Sequence, residues 1–310
     1  MKRRCRVFKA GALNHIYQRT YEGFLIFYSV RDFLVFFTLF CTIARKYNIK
    51  VLGLCLMYDH IHVLVVAPSR NNLSSFVQEY TCRFSRQRNT HYHRKGPFFQ
   101  RRFGSAPKSG EKKARTAIAY LYNNPVEKKI CNYSEEYQWD FLIYANNNHP
   151  YSRPLIIKEA SRALRRSVEE IKTLRASDTP LNYATINRII KSLSTNEVKQ
   201  LIDYIVSSYN CIDYKALEDY YEDFQTMLLA IHSNTGSEHD IKEKVTPYSD
   251  VIYRKMQSII HKMTSYSEMT EVVSLPDSEK RRLAWILSAE TGATPHQIAK
   301  FLQLSPKSQS

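Results

Sequence analysis

The chain has 310 residues, with 45 lysines and arginines against 29 acidic residues, giving a net charge of +16 and an isoelectric point near 9.5. That length can bury a substantial core, either as two domains or as one domain with a large extension. A membrane span is excluded, because the most apolar run, residues 33–43, is too short to cross a bilayer and is interrupted by Thr38 and Thr42.

The basic start, Met1-Lys2-Arg3-Arg4, is followed by no apolar signal core. Six cysteines are scattered singly without a C-x-x-C pair, the pattern of reduced thiols in a cytoplasm. Strong positive charge favours a polyanion, because binding releases counterions condensed on phosphates. Solubility and anionic lipid are other uses of such charge. No amphipathic basic helix is in evidence, so nucleic acid is the expected partner. The 22 tyrosines suit stacking on unpaired bases as well as ordinary packing.

Residues 14–18 and 23–27 read as short strands separated by a polar turn. From Ser29 the pattern becomes helical: Ser29 caps, Asp32 favours the first turn, and Phe33, Phe36, Phe37, Phe40 and Ile43 recur at helical spacing. Residues 51–57 form a strand, Tyr58-Asp59 a tight turn, and residues 60–66 a second strand. Together they make an antiparallel hairpin with a helix packed on one face. Side chains alternate along a strand, so His60 and His62 share a face, their Cα atoms roughly 7 Å apart at about 3.3 Å per residue. Two imidazoles so spaced can converge on one cation. An isolated H-x-H pair is also commonly structural, with one ring bonded and one at an exposed strand end.

A second helix is expected over 72–88, with Leu73, Phe76, Val77 and Tyr80 on one side and Arg83, Arg86 and Arg88 toward its end. The segment from Arg94 to Phe103 is strand-like, aromatics alternating with bases. One reading is a surface for single-stranded nucleic acid, with Arg83, Arg86, Arg94, Lys95, Arg101 and Arg102 meeting phosphates and Phe99 stacking on bases. The other is an edge strand with its Phe residues in the core and its Arg residues in water. Residues 113–124 form a helix whose apolar face is Ala114, Ala117, Ile118 and Leu121. Tyr120 and Asn124, four apart, share a flank beside that face, and Tyr122 points into the apolar side. Pro125 is expected to end this helix at Asn124.

Residues 1–145 read as one domain and 146–156 as a polar, turn-rich linker. Residues 157–310 read as a helical region, with helices over 159–175, 183–193, 196–208, 214–231, 251–263 and 279–290 and a loop at 233–238. His232, His239 and His261 are isolated and read as structural or exposed. Gly292 stops the 279–290 helix, and Thr294 with Gln297 forms a capping box with Pro295 at the first helical position. This resembles the first part of a helix-turn-helix. The sequence reaches Ser310 where a recognition helix is expected, so plain packing is an equal reading.

Three motifs then fall in order: Met57-Tyr58-Asp59-His60-Ile61-His62, Phe98-Phe99-Gln100-Arg101-Arg102-Phe103, and Tyr120-Leu121-Tyr122-Asn123-Asn124-Pro125-Val126. Over residues 10–145 the set resembles the HUH single-strand tyrosine transposases, specifically the REP-associated tyrosine transposases and their insertion-sequence relatives. The resemblance implies an α+β fold, an antiparallel sheet flanked by helices of the palm or ferredoxin-like kind, followed here by a mostly α-helical region. It implies His60 and His62 as metal ligands, Asn124 as the third ligand, Tyr120 as nucleophile, and Mg²⁺ or Mn²⁺ as cofactor. The activity implied is cleavage and rejoining of single-stranded DNA at hairpin or repeat ends through a 5′-phosphotyrosine link. The alternative is a non-catalytic, domesticated protein that binds DNA hairpins or regulates transcription. Asp59 departs from the asparagine usual in this branch; a carboxylate near the metal is one use for it, and shaping the turn is the favoured one. Monomer and homodimer are both implied, because insertion-sequence relatives swap the tyrosine helix within dimers and the repeat-associated branch tends to act as monomers.

Overall fold

In the computed structural model, which describes residues 8–100, 102–233 and 249–304, the expected hairpin forms one side of a four-stranded sheet. Strands β1 (Leu13–Arg19), β2 (Lys50–Leu56), β3 (His60–Val66) and β4 (Gly104–Lys108) lie in the order β2-β3-β1-β4, with each neighbouring pair antiparallel. The strand expected over 94–103 is not found among the described residues: 94–100 and 102–103 are loop, bridged to Thr20 at Phe99, and the edge strand begins at Gly104. Its Pro107 is tolerated because an edge strand keeps one side free of ladder bonds.

The strand expected over 23–27 is also absent. This apolar stretch is buried without a ladder, and its polar backbone is met in other ways. The fully buried Arg88 donates from Nε to the Ile26 carbonyl at 2.8 Å and from Nη2 to the Leu25 carbonyl at 3.1 Å. Thr20 donates to the Phe24 carbonyl, and the Ile26 amide reaches the Tyr58 carbonyl at 2.6 Å.

Helix α1 (Val30–Lys46) begins at a capping box of Ser29 and Asp32. Helix α2 (Arg70–His91) is longer than its apolar stripe predicts, capped by Ser69, and covers the sheet face to which Gln18 points, the Tyr80 hydroxyl donating to Gln18 Oε1 at 3.1 Å. Helix α3 (Glu111–Glu127) covers the opposite face. It runs through Pro125 rather than stopping before it. Pro125 has no N–H to offer the Leu121 carbonyl, so the helix forgoes one bond there and continues for less than a turn. Termination is made by Lys129 at φ +55°, with Ile130 N bonding to Pro125 O and Lys129 N to Val126 O.

Close approach of α3 depends on Gly53. A Cβ there would meet Leu121 Cδ2 at 3.3 Å and the Tyr122 hydroxyl at 3.4 Å. The register shift between Val51 and Gly53 turns out the Leu52 carbonyl, which accepts from the Tyr122 hydroxyl at 3.2 Å.

Beyond residues 146–156 come α4 (Arg162–Ala176), α5 (Tyr183–Ile190), α6 (Thr195–Tyr209), α7 (Tyr214–Glu218), α8 (Phe224–His232), α9 (Val251–Met263), α10 (Met269–Ser274), α11 (Asp277–Thr291) and α12 (Pro295–Leu302). The single helix expected over 214–231 is two, since Asp223 caps a fresh start at α8 and Glu218 accepts from the Phe224 amide. The short α10 was not anticipated. Most of the loop expected at 233–238, His239, and residues 305–310 lie outside the described residues.

These helices share a core with the sheet domain. The Tyr183 hydroxyl donates to Asp32 Oδ1 at 2.6 Å, the Leu181 amide donates to Thr38 Oγ1 at 3.1 Å, and Arg45 Nη1 donates to the Tyr209 carbonyl at 3.0 Å. Helix α12 buries Ile298, Phe301 and Leu302, and the Tyr28 hydroxyl donates to the Phe301 carbonyl at 2.7 Å, so the helix-turn-helix-like end is used in packing. Among the described residues no helix is long and apolar enough to cross a membrane.

Gly53→Val is expected to lower stability by about 1–3 kcal/mol through overpacking against Leu121 and Tyr122, and Gly53→Ala by less, as measured by urea denaturation.

Candidate active site

Strands β1 and β3 pair with Tyr17 opposite His62 and Arg19 opposite His60. Paired residues project from the same face, so His15, Tyr17, His60 and His62 lie together beneath α3. The His60 and His62 rings meet edge to face with centroids 4.9 Å apart. Tyr17 adjoins both, at 5.6 Å from His60 and 5.0 Å from His62. From α3, Tyr120 brings its ring to 5.6 Å from His62 and 5.9 Å from His15. The phenol and the imidazole pair thus come together within one chain.

Each candidate ligand ring is held through Nδ1. His60 Nδ1 lies 2.5 Å from Asp59 Oδ1, and His62 Nδ1 lies 3.0 Å from His15 Nε2. Nε2 is therefore the nitrogen that a cation would take, and both Nε2 atoms are buried. If His62 binds through Nε2, its Nδ1 carries the proton and His15 accepts it. Asn124, one turn after Tyr120, donates from Nδ2 to the Tyr120 carbonyl at 2.8 Å. As donor types, two imidazoles and an amide oxygen would suit a divalent cation. Among the described residues no group of three or more His, Cys, Asp or Glu side chains is placed to hold a metal ion.

Tyr122 lies on the other flank, its hydroxyl engaged with Leu52. Burial, then the neighbouring Tyr214 and Asp140, hold its proton well above the usual phenol range, so it is a poor nucleophile. Asp59 does more than shape a turn. Its second oxygen, Oδ2, meets the ammonium of Lys300 on α12. Burial opposes the Asp59 charge, but His60 and Lys300 outweigh it and hold the carboxyl well below its usual range.

The basic-aromatic residues are less uniform than their spacing suggests. Phe99 is buried against Phe84 and Phe98, at 6.1 and 5.0 Å, which puts it in the core rather than on a stacking surface. Arg94 is engaged by Glu22 at 2.9 Å and by the Pro97 carbonyl at 3.0 Å, and Arg83 by Glu79 at 3.3 Å. Arg86, Lys95 and Arg102 are exposed, and Arg101 lies outside the described residues. A groove of about 740 Å³ lined by Arg86, Phe98, Gln100 and Phe103 also includes Gln18, so it lies on the α2 side, away from the histidines.

Sequence reasoning passed over His15, Tyr17 and Lys300. The alternation in β1 matches that in β3, and this was the available signal for the first two. Their role needs the strand order, which sequence alone does not supply.

Residues 15–124 match the family model for IS200-like transposases. Over this segment the chain is similar to IS200-like transposases. The match runs from His15 to Asn124 and so contains every member of the constellation beneath α3. A solved REP-associated tyrosine transposase bound to a REP hairpin is similar at 15% identity and a TM-score of 0.40, over 46% of this chain and 82% of that one. No curated protein matches the chain. The transposase match leaves out α4–α12, including the helix that carries Lys300.

His15→Leu is expected to lower stability by about 1–3 kcal/mol, because it removes the ring nitrogen that pairs with the buried His62 Nδ1. His15→Gln, which keeps an acceptor, is expected to recover most of that loss in the same denaturation measurement.

Proposed function

We propose that this protein is a metal-dependent transposase that cleaves and rejoins single-stranded DNA at hairpin or repeat ends through Tyr120. The observation that carries the reading is the placement of the Tyr120 ring against His62 and His15, with His60 on the same sheet face. His60 and His62, with Asn124, would hold Mg²⁺ or Mn²⁺. Such a cation would neutralise the negative phosphate and polarise it toward attack. Tyr120 Oη then gives up its proton and bonds to phosphorus, the bond from phosphorus to the 3′ oxygen breaks, and that oxygen takes up a proton and leaves as a hydroxyl. The 5′-phosphotyrosine link keeps the bond energy, so a second 3′-hydroxyl can displace Tyr120 without a nucleotide cofactor. Buried walls around the imidazoles exclude bulk water, which would otherwise compete for the link. The net charge of +16 supports a DNA partner.

A second reading, a non-catalytic hairpin-binding or regulatory protein, is favoured by the burial of Tyr120, which is only 3% exposed. The two separate on a denaturing gel. Incubation with labelled single-stranded hairpin DNA and Mn²⁺ is expected to give a covalent adduct that falls to background in Tyr120→Phe and persists in Tyr122→Phe. A native gel shift without adduct would support the binding protein instead.

Helix α3 supplies Tyr120 to the histidines of its own chain, so a monomer suffices for this chemistry. Mixing Tyr120→Phe with His62→Ala is accordingly expected to yield no adduct, whereas dimers that exchange α3 would restore it.

A further inference from the structure

His60 is held from behind by two charged groups in series, the second of which comes from the last helix. Its Nδ1 meets Asp59 Oδ1 at 2.5 Å, and Asp59 Oδ2 takes the ammonium of Lys300. Both side chains of that ion pair are largely shielded, at 17% and 15% exposure, so water screens the contact weakly. The helix that bears Lys300 is itself fixed. Phe301 accepts from the Tyr28 hydroxyl at 2.7 Å, Gln303 donates to the same hydroxyl at 3.2 Å, and the Phe301 ring lies nearly parallel to that of Tyr253 on α9. From α9, Arg254 Nε donates to the hydroxyl of Tyr58, the neighbour of Asp59, at 2.5 Å. Two helices from the far half of the chain therefore grip the turn that precedes the histidine pair.

We propose that Lys300 is a positioning residue for His60, anchoring Asp59 so that Asp59 holds the ring as the Nδ1–H tautomer with Nε2 committed to the cation. An aspartate carboxyl rotates broadly about its last torsion when only one oxygen is engaged. With Lys300 on Oδ2, Oδ1 becomes a fixed acceptor, and the imidazole orientation is fixed with it. Partners of this outer kind typically change metal affinity by about 10- to 100-fold. The inference rests on the reading of His60 as a metal ligand. It assigns the helical half a part in the site that the IS200-like segment lacks.

The test uses the full chain and two readouts. In Mn²⁺ titrations followed by electron paramagnetic resonance, Lys300→Met is expected to weaken binding about 10-fold or more, and Lys300→Arg to restore it. In the metal-free protein, long-range ¹⁵N–¹H spectra are expected to show His60 as the Nδ1–H tautomer, and as a tautomer mixture in Lys300→Met. In an Asp59→Asn background, Lys300→Met is expected to add nothing further to either readout. Unchanged affinity and an unchanged tautomer in Lys300→Met would overturn the proposal, as would an equal loss in the Asp59→Asn background. Should Lys300→Met fail to fold, Lys300→Gln removes the positive charge while keeping a polar tip and supplies the same comparison. If His60→Ala leaves Mn²⁺ binding unaltered, the metal-ligand reading fails, and the metal-free tautomer still decides whether Lys300 acts on His60.

Discussion

The contact between α3 and the sheet sets everything that the first half can do. A helix resting on a sheet is normally held off by the side chains between them, and here Gly53 removes one of those spacers beneath Leu121 and Tyr122. The Leu52 carbonyl, turned out by the neighbouring register shift, then fastens the helix through Tyr122. Tyr120 sits two residues earlier on the same helix, so this fastening fixes its height and rotation relative to the imidazoles. Two tyrosines close together in sequence have different jobs because they lie on different flanks: one is a rivet, and the other reaches the histidines.

Much of this arrangement was legible locally. Helix α1 announces itself by Ser29, Asp32 and a phenylalanine stripe, and the β2–β3 hairpin by alternation around Tyr58-Asp59, because those signals depend on residues a few positions apart. Strand β4 was not legible. Gly104-Ser105-Ala106-Pro107-Lys108 has no β-branched residue and is a strand only because β1 offers it an edge. The stretch over 23–27 failed in the opposite sense: it is apolar enough for a strand, but a buried guanidinium on Arg88 took the place of a partner strand. Pro125 misled because the bias it places on the residue before it is a preference, which the packing of α3 on the sheet overrides.

The same limit of range explains the partial reading of the site. His60, His62, Tyr120 and Asn124 each belong to a short motif. His15 and Tyr17 join them only once β1 is known to lie beside β3, and Lys300 only once α12 is known to dock on Tyr28 and Asp59. Charge was likewise a bulk clue that did not resolve into contacts. Arg88 is spent inside the core and Arg94 on Glu22, which leaves a smaller set of exposed bases, among them Arg86, Lys95 and Arg102, than the composition implies.

The separation between the two ends of one ion pair has a consequence for the order of events during synthesis. Asp59 and Lys300 are 241 positions apart. At about 5–20 residues per second on a ribosome, on the order of tens of seconds pass between their appearances. For that interval the nascent sheet can already be folded, with its histidine turn lacking the grip that α9 and α12 later provide. A ribosome-bound chain would then present Tyr120 and the histidines before the far helices have closed on the turn beside them.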